Sequence, residues 1–205
     1  MRRLIALLFT TVIMLGTMAT AQAPAMTQFS SDMQMKSAKG DNMSGKYYMG
    51  DRQMRMDMNQ RGMNMSMITD LKNKKSYMLM VDQKMYMEHA LNDQNMRQGP
   101  GARMPKFEPE CDPDHFTCKS AGTETVNGRL CEKWVYTAKD AGNEAENQTV
   151  WVDTKIHTPV RVVMGDGSQM DFTNIKEGTQ DANLFKVPDG FQPFNSMMMG
   201  RPPKR

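Results

Sequence analysis

Thioether sulfur is the most plentiful potential ligand in this sequence, because 25 of its 205 residues are methionine. Many recur at every second position: Met33 and Met35; Met54, Met56 and Met58; Met63, Met65 and Met67; Met78 and Met80; Met85 and Met87. In an extended chain that spacing places each set on one face. Methionine is unbranched and polarizable, so a surface of it adapts to varied apolar partners, such as a lipid acyl chain or another apolar small molecule. Thioethers also select Cu(I). Met85, Met87 and His89 alternate, and form a candidate copper set if the strand runs on to His89. Methionines can in addition consume oxidant as repairable sulfoxides. Plain packing, in a structural or interaction protein with a methionine-rich core, is the remaining reading.

Patterns for catalysis are missing from the sequence. It contains no GxSxG, HExxH, P-loop or GxGxxG, and His89, His115 and His157 are not paired at ligand spacing. Little is left for general acid–base work or metal hydrolysis, so the chain reads as a non-enzyme without a resident cofactor. Asp112 and Asp114 read as turn formers. Lys72, Lys74 and Lys75 make a small solvated basic turn. A net charge of +3 excludes a strongly basic nucleic-acid binder.

The N-terminus carries an export signal. Arg2 and Arg3 precede the apolar run Leu4–Leu15, and Ala19-Thr20-Ala21 gives a small-x-small cleavage pattern. Twelve apolar residues span roughly 18 Å as a helix, short of the ~30 Å hydrocarbon core, so cleavage after Ala21 is favoured over a membrane anchor. No second hydrophobic stretch follows, and no integral span is expected after cleavage. The mature protein is expected in the periplasm or outside the cell of a bacterium. Beyond residue 21, only 24 residues are Leu, Ile, Val or Phe, against 22 Met. Either the fold is loose or methionine replaces leucine in it.

Three cysteines, Cys111, Cys118 and Cys131, suit an oxidising compartment and leave one unpaired in a monomer. Asn127-Gly128 signals a two-residue hairpin turn, which sets Cys131 opposite Glu124 rather than Cys118. Cys111 and Cys118 bracket a short loop with Pro113 and are the expected disulfide. A metal site there lacks both a CxxC pair and a nearby pair of histidines.

These residues must be positioned by strands. Phe29–Lys36, Ser44–Met49, Arg52–Met58, Met63–Thr69, Lys75–Val81 and Lys84–Met87 recur at hairpin spacing. A turn at Gly50-Asp51 sets Tyr47 opposite Met54. A loop at Asn59–Gly62 sets Met58 opposite Met63, Met56 opposite Met65 and Met54 opposite Met67. A connection at Lys72-Asn73 pairs Met67 with Met78 and Met65 with Met80. A turn at Asp82-Gln83 pairs Met80 with Met85 and Met78 with Met87. One register thus collects ten methionines on one face, and a one-residue slip in any hairpin would scatter them. The ligand-binding candidates are therefore Met54, Met56, Met58, Met63, Met65, Met67, Met78, Met80, Met85 and Met87. Behind them, Gln53, Arg55, Asp57, Asn64 and Ser66 are polar, so there the methionine face is expected to be the buried or ligand-facing one. Tyr77, Leu79, Val81 and Tyr86 make the back apolar in the last two strands, where another element should pack.

Glu88–Arg97 is the internal helix candidate, and Gln98–Pro105 a linker or exposed loop. Five further strands follow: Cys118–Val126, Arg129–Tyr136, Gln148–Asp153, Val160–Met164 and Ser168–Lys176. A loop at Gly165–Gly167 sets Val162 opposite Met170. Residues 22–28 read as a flexible N-terminus, 29–194 as one domain with one continuous sheet, and 195–205 as a disordered tail.

Several segments carry a family resemblance: Gly45-Lys46-Tyr47-Tyr48 with Met54–Asp57; Ser76–Met80 with Met85-Tyr86-Met87; Thr123–Trp134; Val150–Asp153 with Thr158-Pro159-Val160; and Leu184–Gly190. In this order they resemble the exported bacterial domain of unknown function 4412, which is similar to the lipoprotein carriers LolA and LolB. The resemblance implies a mainly β fold, a curved, unclosed antiparallel half-barrel of LolA-like type with a few short helices on its concave side. In the carriers that side holds acyl chains. The resemblance implies no catalytic residues.

Overall fold

The computed structural model describes residues 27–60, 62–92, 111–139, 142 and 144–194. The expected export signal (1–21), most of the expected flexible N-terminus, the expected Gln98–Pro105 linker and the expected tail from 195 lie outside the described residues.

Alternation of apolar and polar side chains, broken by tight turns, gives a mainly β chain. Its strands are β1 (Phe29–Lys36), β2 (Asn42–Met49), β3 (Gln53–Gln60), β4 (Met63–Asp70), β5 (Lys75–Met80), β6 (Met85–Ala90), β7 (Phe116–Val126), β8 (Arg129–Ala138), β9 (Gln148–Asp153), β10 (Pro159–Met164), β11 (Gln169–Glu177) and β12 (Gln192–Pro193). They form one unclosed 12-stranded sheet in the order β12-β6-β5-β4-β3-β2-β1-β11-β10-β9-β8-β7. All pairings are antiparallel except β12 with β6. Two runs of sequential hairpins are thus joined in the middle, where β1 pairs with β11. Helix is confined, among the described residues, to short 3-10 turns at Glu144–Glu146 and Ala182–Phe185. The expected helix from Glu88 is not formed at its start: Glu88–Ala90 continue β6, held by the ladder to β5. Residues 93–97 of that expectation lie outside the described residues.

Two hairpin registers differ from the sequence reading by two residues. Tyr47 faces Met56 rather than Met54; across the next hairpin Met58 faces Met65 rather than Met63, Met56 faces Met67 rather than Met65, and Met54 faces Thr69 rather than Met67. In the first case the tight turn is Asp51-Arg52, closed by Gly50 N–H donating to the Gln53 carbonyl at 2.8 Å, with Arg52 in the left-handed region (φ 57). Gly50 serves another purpose: a Cβ there would lie 2.7 Å from the Phe185 ring. In the second case the ladder extends to Gln60 opposite Met63, and Gly62 (φ 82) takes the turn. A slip of two preserves the face of every side chain, so the methionines still converge. The remaining expected pairings hold: Met65–Met80, Met67–Met78, Met80–Met85, Met78–Met87, Val162–Met170 and Cys131–Glu124.

The core is divided between the two faces. On the methionine side, Phe29, Met33, Tyr47, Met49, Met56, Phe172 and Ile156 form one buried cluster. On the other side of β4 and β5, Ile68 and Leu79 are buried beneath Phe185, with Leu184, Val187 and Phe191 packed alongside. The segment after β11 therefore supplies the element that the apolar back of β5 and β6 required. A second pair of clusters, around Trp151 with Cys131 and around Val150 with Val162, holds the other end of the sheet.

Asp153 ties that end together. It is 2% exposed, and accepts from Arg129 and from the Lys155 and Ile156 backbone N–H groups at 2.7 and 3.0 Å. Arg129 in turn reaches Glu177 on β11 at 2.9 Å. Burial alone would raise the Asp153 carboxyl, but the guanidinium and the two N–H donors outweigh it and hold it below the usual carboxylate range. Cys111 and Cys118 are joined in a disulfide, whereas Cys131 is free and buried.

Candidate functional site

The register assembles the candidate methionines into two rows across neighbouring strands. One row runs Phe172, Met33, Gly45, Met58, Met65, Met80, Met85 from β11 to β6. The next runs Ser31, Tyr47, Met56, Met67, Met78, Met87 from β1 to β6. Directly opposed Cβ atoms lie about 4.5–5.5 Å apart, so methionines paired across these strands are within reach of one another. Gly45 is the gap in the first row. A Cβ there would sit 2.0 Å from the Asp57 carbonyl oxygen, so the close approach of β2 and β3 demands glycine.

Burial falls along these rows. Met33, Tyr47 and Met56 are 0%, 1% and 3% exposed. Met58, Met65, Met67, Met78, Met80, Met85 and Met87 are half-buried, and Met63 at the ribbon's margin is 52% exposed. Of the ten candidates, Met54 and Met58 pack on the buried cluster and Met56 belongs to it. The rest form a half-accessible apolar ribbon over β4–β6, about 10 Å wide at ~4.8 Å per strand step. A packed core thus grades into an adaptable surface without a break in chemistry.

Sequence reasoning missed part of this face. Met33, Met35, Met43, Met49 and Met170 share it, because β1 pairs with both β2 and β11. The alternation of Met33 and Met35 was visible, but no hairpin signal announces the pairing of a first strand with β11. The methionine face, expected to be the buried or ligand-facing one where its back is polar, is the more buried face at β3 but not at β4, while on β5 the back is apolar and covered, as its sequence suggests. Ser66, Ile68, Asp70 and Leu79 on the opposite side of β4 and β5 are buried, Ile68 and Leu79 under Phe185 of the C-terminal segment.

The opposite side of β1–β4 bears an open cavity of about 640 Å³, lined by Asp32, Gln34, Ser44, Lys46, Arg55, Asp57, Asn59, Asn64, Ser66 and Asn174, among others. Met58 and Met65 are the only candidates at its wall. Most of its charged and amide groups already have partners. Asp32 accepts from Lys46 and from Asn174 at 2.7 Å; the Asn174 amide, and then Lys46, lower its carboxyl. Arg55 donates to Asp57 at 2.7 Å, to Ser66 at 3.3 Å and to the Leu184 carbonyl at 3.0 Å. Asn64 bridges Asn59 and Asp82. The Asp32–Lys46 and Arg55–Asp57 charges are paired and the Asn59, Asn64 and Asn174 amides are engaged, so this cavity has few charged groups to spare for a ligand.

The alternative soft set is placed as its spacing requires. β6 runs through His89, so Met85, Met87 and His89 share one face of the outermost long strand. The His115 ring donates from Nδ1 to the Asp112 carboxylate in the disulfide loop at 3.0 Å, and His157 lies in the turn before β10 with φ 52. Among the described residues, no group of three or more His, Cys, Asp or Glu could hold a metal ion, and no helix is long and apolar enough to cross a membrane.

Known proteins match the fold more than any activity. An uncharacterized conserved protein from Thermus thermophilus superposes with a TM-score of 0.56 at 11% identity, over 82% of this chain and 90% of that one. MucB, in its complex with MucA from Pseudomonas aeruginosa, gives 0.52 at 14% identity, over 78% of this chain and 55% of that one. A LolA superfamily protein from Nitrosomonas europaea gives 0.37 at 10% identity, over 78% and 90%, too distant to carry an argument. No curated protein matches the sequence. The family model described as Domain of unknown function (DUF4412) matches residues 29–158, from β1 to the turn before β10 and well over half of the chain. The chain belongs to that family.

Proposed function

We propose that this protein is an exported, non-catalytic binding protein, and that it holds an apolar ligand of the acyl-chain type against the methionine ribbon of β4–β6. The observation that carries this reading is the gradient of burial along the two rows. The same side-chain chemistry that closes the core at Met33 and Met56 is left half-accessible from Met65 to Met87. Methionine is suited to that position because its three rotatable bonds and polarizable sulfur let the lining repack around chains of different length. The arginine-led apolar N-terminus and the Cys111–Cys118 disulfide support export into an oxidising compartment. In Pseudomonas aeruginosa, MucB forms a complex with MucA, so a sheet of similar architecture serves a binding protein there.

The test is displacement of a fluorescent fatty-acid probe from the purified chain, compared with its Met67→Asp and Met78→Asp variants. A charge on the ribbon is expected to weaken probe binding by an order of magnitude or more, since an unpaired carboxylate against an acyl chain goes unsolvated. Gln34→Asp, on the polar face, should leave the affinity alone. Equal affinities in all four proteins would contradict the assignment.

A further inference from the structure

The outer end of the ribbon differs from the rest in one respect: it includes an imidazole. Met87 on β6 faces Met78 on β5, and His89, two residues further along the same face, faces Ser76. Diagonal neighbours of this kind have Cβ atoms about 7–8 Å apart, within reach of long side chains. Two thioethers and one ring nitrogen can therefore meet above the β5–β6 pair. A cavity of about 510 Å³ opens beside them, bounded by Tyr86, Met87, Glu88, His89, Pro193 and Phe194. The chain returns here as β12, which pairs with Met85 and Tyr86 only. Phe194 N–H donates to the Tyr86 carbonyl at 2.7 Å, the last such contact among the described residues. From Met87 onward the outer side of β6 has no strand against it among the described residues. Pro193 and Phe194 wall the cavity without adding a polar side chain.

We propose that Met78, Met87 and His89 form a Cu(I) site at this edge. The donor set is soft: thioether sulfur and neutral imidazole suit Cu(I), while Mg(II), Ca(II) and Mn(II) require oxygen ligands. The carboxylate nearest in sequence, Glu88, points to the other face and is held by Lys75 at 2.7 Å. It supplies no hard oxygen to the three donors. Ser76, opposite His89, contributes at most a hydroxyl. His89 is exposed, and so accessible to an incoming ion, whereas Met78 and Met87 are half-buried and already held side by side. The copper is bound as Cu(I) and released as Cu(I), so no electron changes hands. This site goes beyond the apolar-ligand reading and does not depend on it.

Anaerobic titration of the full chain with Cu(I), against a chromophoric Cu(I) chelator, tests the assignment. The expected result is one tightly held equivalent. His89→Ala and Met87→Leu should each weaken it by at least about tenfold, the loss that removing even an indirect neighbour causes at metal sites. Met→Leu keeps volume and apolarity, so folding is preserved. Met35→Leu, on the same face at the far side of the sheet, should leave the affinity unchanged. X-ray absorption of the loaded protein should show both sulfur and nitrogen scatterers, with the nitrogen lost in His89→Ala. An unchanged affinity in the Met78→Leu, Met87→Leu, His89→Ala triple variant would overturn the proposal. So would weak, multi-equivalent uptake that falls equally on Met35→Leu. Fatty-acid probe binding measured on His89→Ala, which leaves every methionine of the ribbon in place, separates the two functions, because loss of copper with probe retained affects this site alone.

Discussion

Leu79 and Met78 are adjacent on β5 and point to opposite faces, so truncating each in turn asks which face is the core at this end of the sheet. Leu79 is 0% exposed and packs with Ile68 and Phe185. Its replacement by alanine removes three carbon atoms, about 0.8 kcal/mol each, and leaves a cavity that a rigid sheet and the Phe185 ring cannot fill. The expected loss is about 3–4 kcal/mol. Met78 is only half-buried, and solvent or a neighbouring methionine can take up its space. Met78→Ala should then cost about 1 kcal/mol. Urea unfolding of both variants and the parent, followed by Trp fluorescence, gives the two differences directly, provided the m-value is unchanged. Ligand binding should separate in the opposite sense: Met78→Ala weakens fatty-acid probe binding, and Leu79→Ala leaves it intact at temperatures where the variant is folded. Equal destabilisation, or a larger loss at Met78, would refute the division of the sheet into a packed back and an accessible methionine ribbon.

Asp153→Asn should destabilise by about 2 kcal/mol, below the 3–5 kcal/mol of a fully broken buried pair because Arg129 keeps Glu177. The Asp153 carboxyl is depressed in the folded state, so its contribution is complete above the unfolded carboxylate value near 3.9 and fades as pH falls through the lower folded value; acid unfolding of Asp153→Asn should lack that component. Gly45→Ala should cost roughly 3 kcal/mol or more and disturb amide exchange in β2 and β3, since its Cβ meets the Asp57 carbonyl oxygen at 2.0 Å; near-parental stability would mean the strands are further apart. Peptide mapping without reduction should recover Cys111 linked to Cys118. Cys131, fully buried and with its thiol pushed up by burial, should alkylate only on unfolding.

Local signals made most of the sheet legible. Alternating methionines and polar residues defined β3–β6, and Asn127-Gly128, with φ 51 and 77, turned as its composition demands. Parity explains why the methionine face survived two register errors: each hairpin was displaced by two residues, which changes neighbours but not faces. Gly50 misled because glycine serves both turns and close packing, and only the presence of Phe185 distinguishes the two. The β1–β11 joint, the crossing of Leu184–Phe191 over Ile68 and Leu79, and the parallel β12 depend on contacts between distant segments. No local pattern encodes those contacts. For the same reason the apolar back of β5 was readable, while the identity of what covers it was not. His89 was ambiguous because EHALNDQNMR has the composition of a helix, and the ladder from Lys75–Met80 to Met85–Ala90 overrides that propensity.

Native mass spectrometry of the protein purified from the exported fraction of its own cells, without detergent, addresses the central claim most directly. The expected spectrum shows a population carrying a single noncovalent apolar adduct with the mass of a lipid or fatty acid. That population should be sharply reduced in Met67→Asp and unaltered in Gln34→Asp. A protein that is consistently empty, or an adduct retained in full by Met67→Asp, would contradict the assignment of the ribbon as the binding surface.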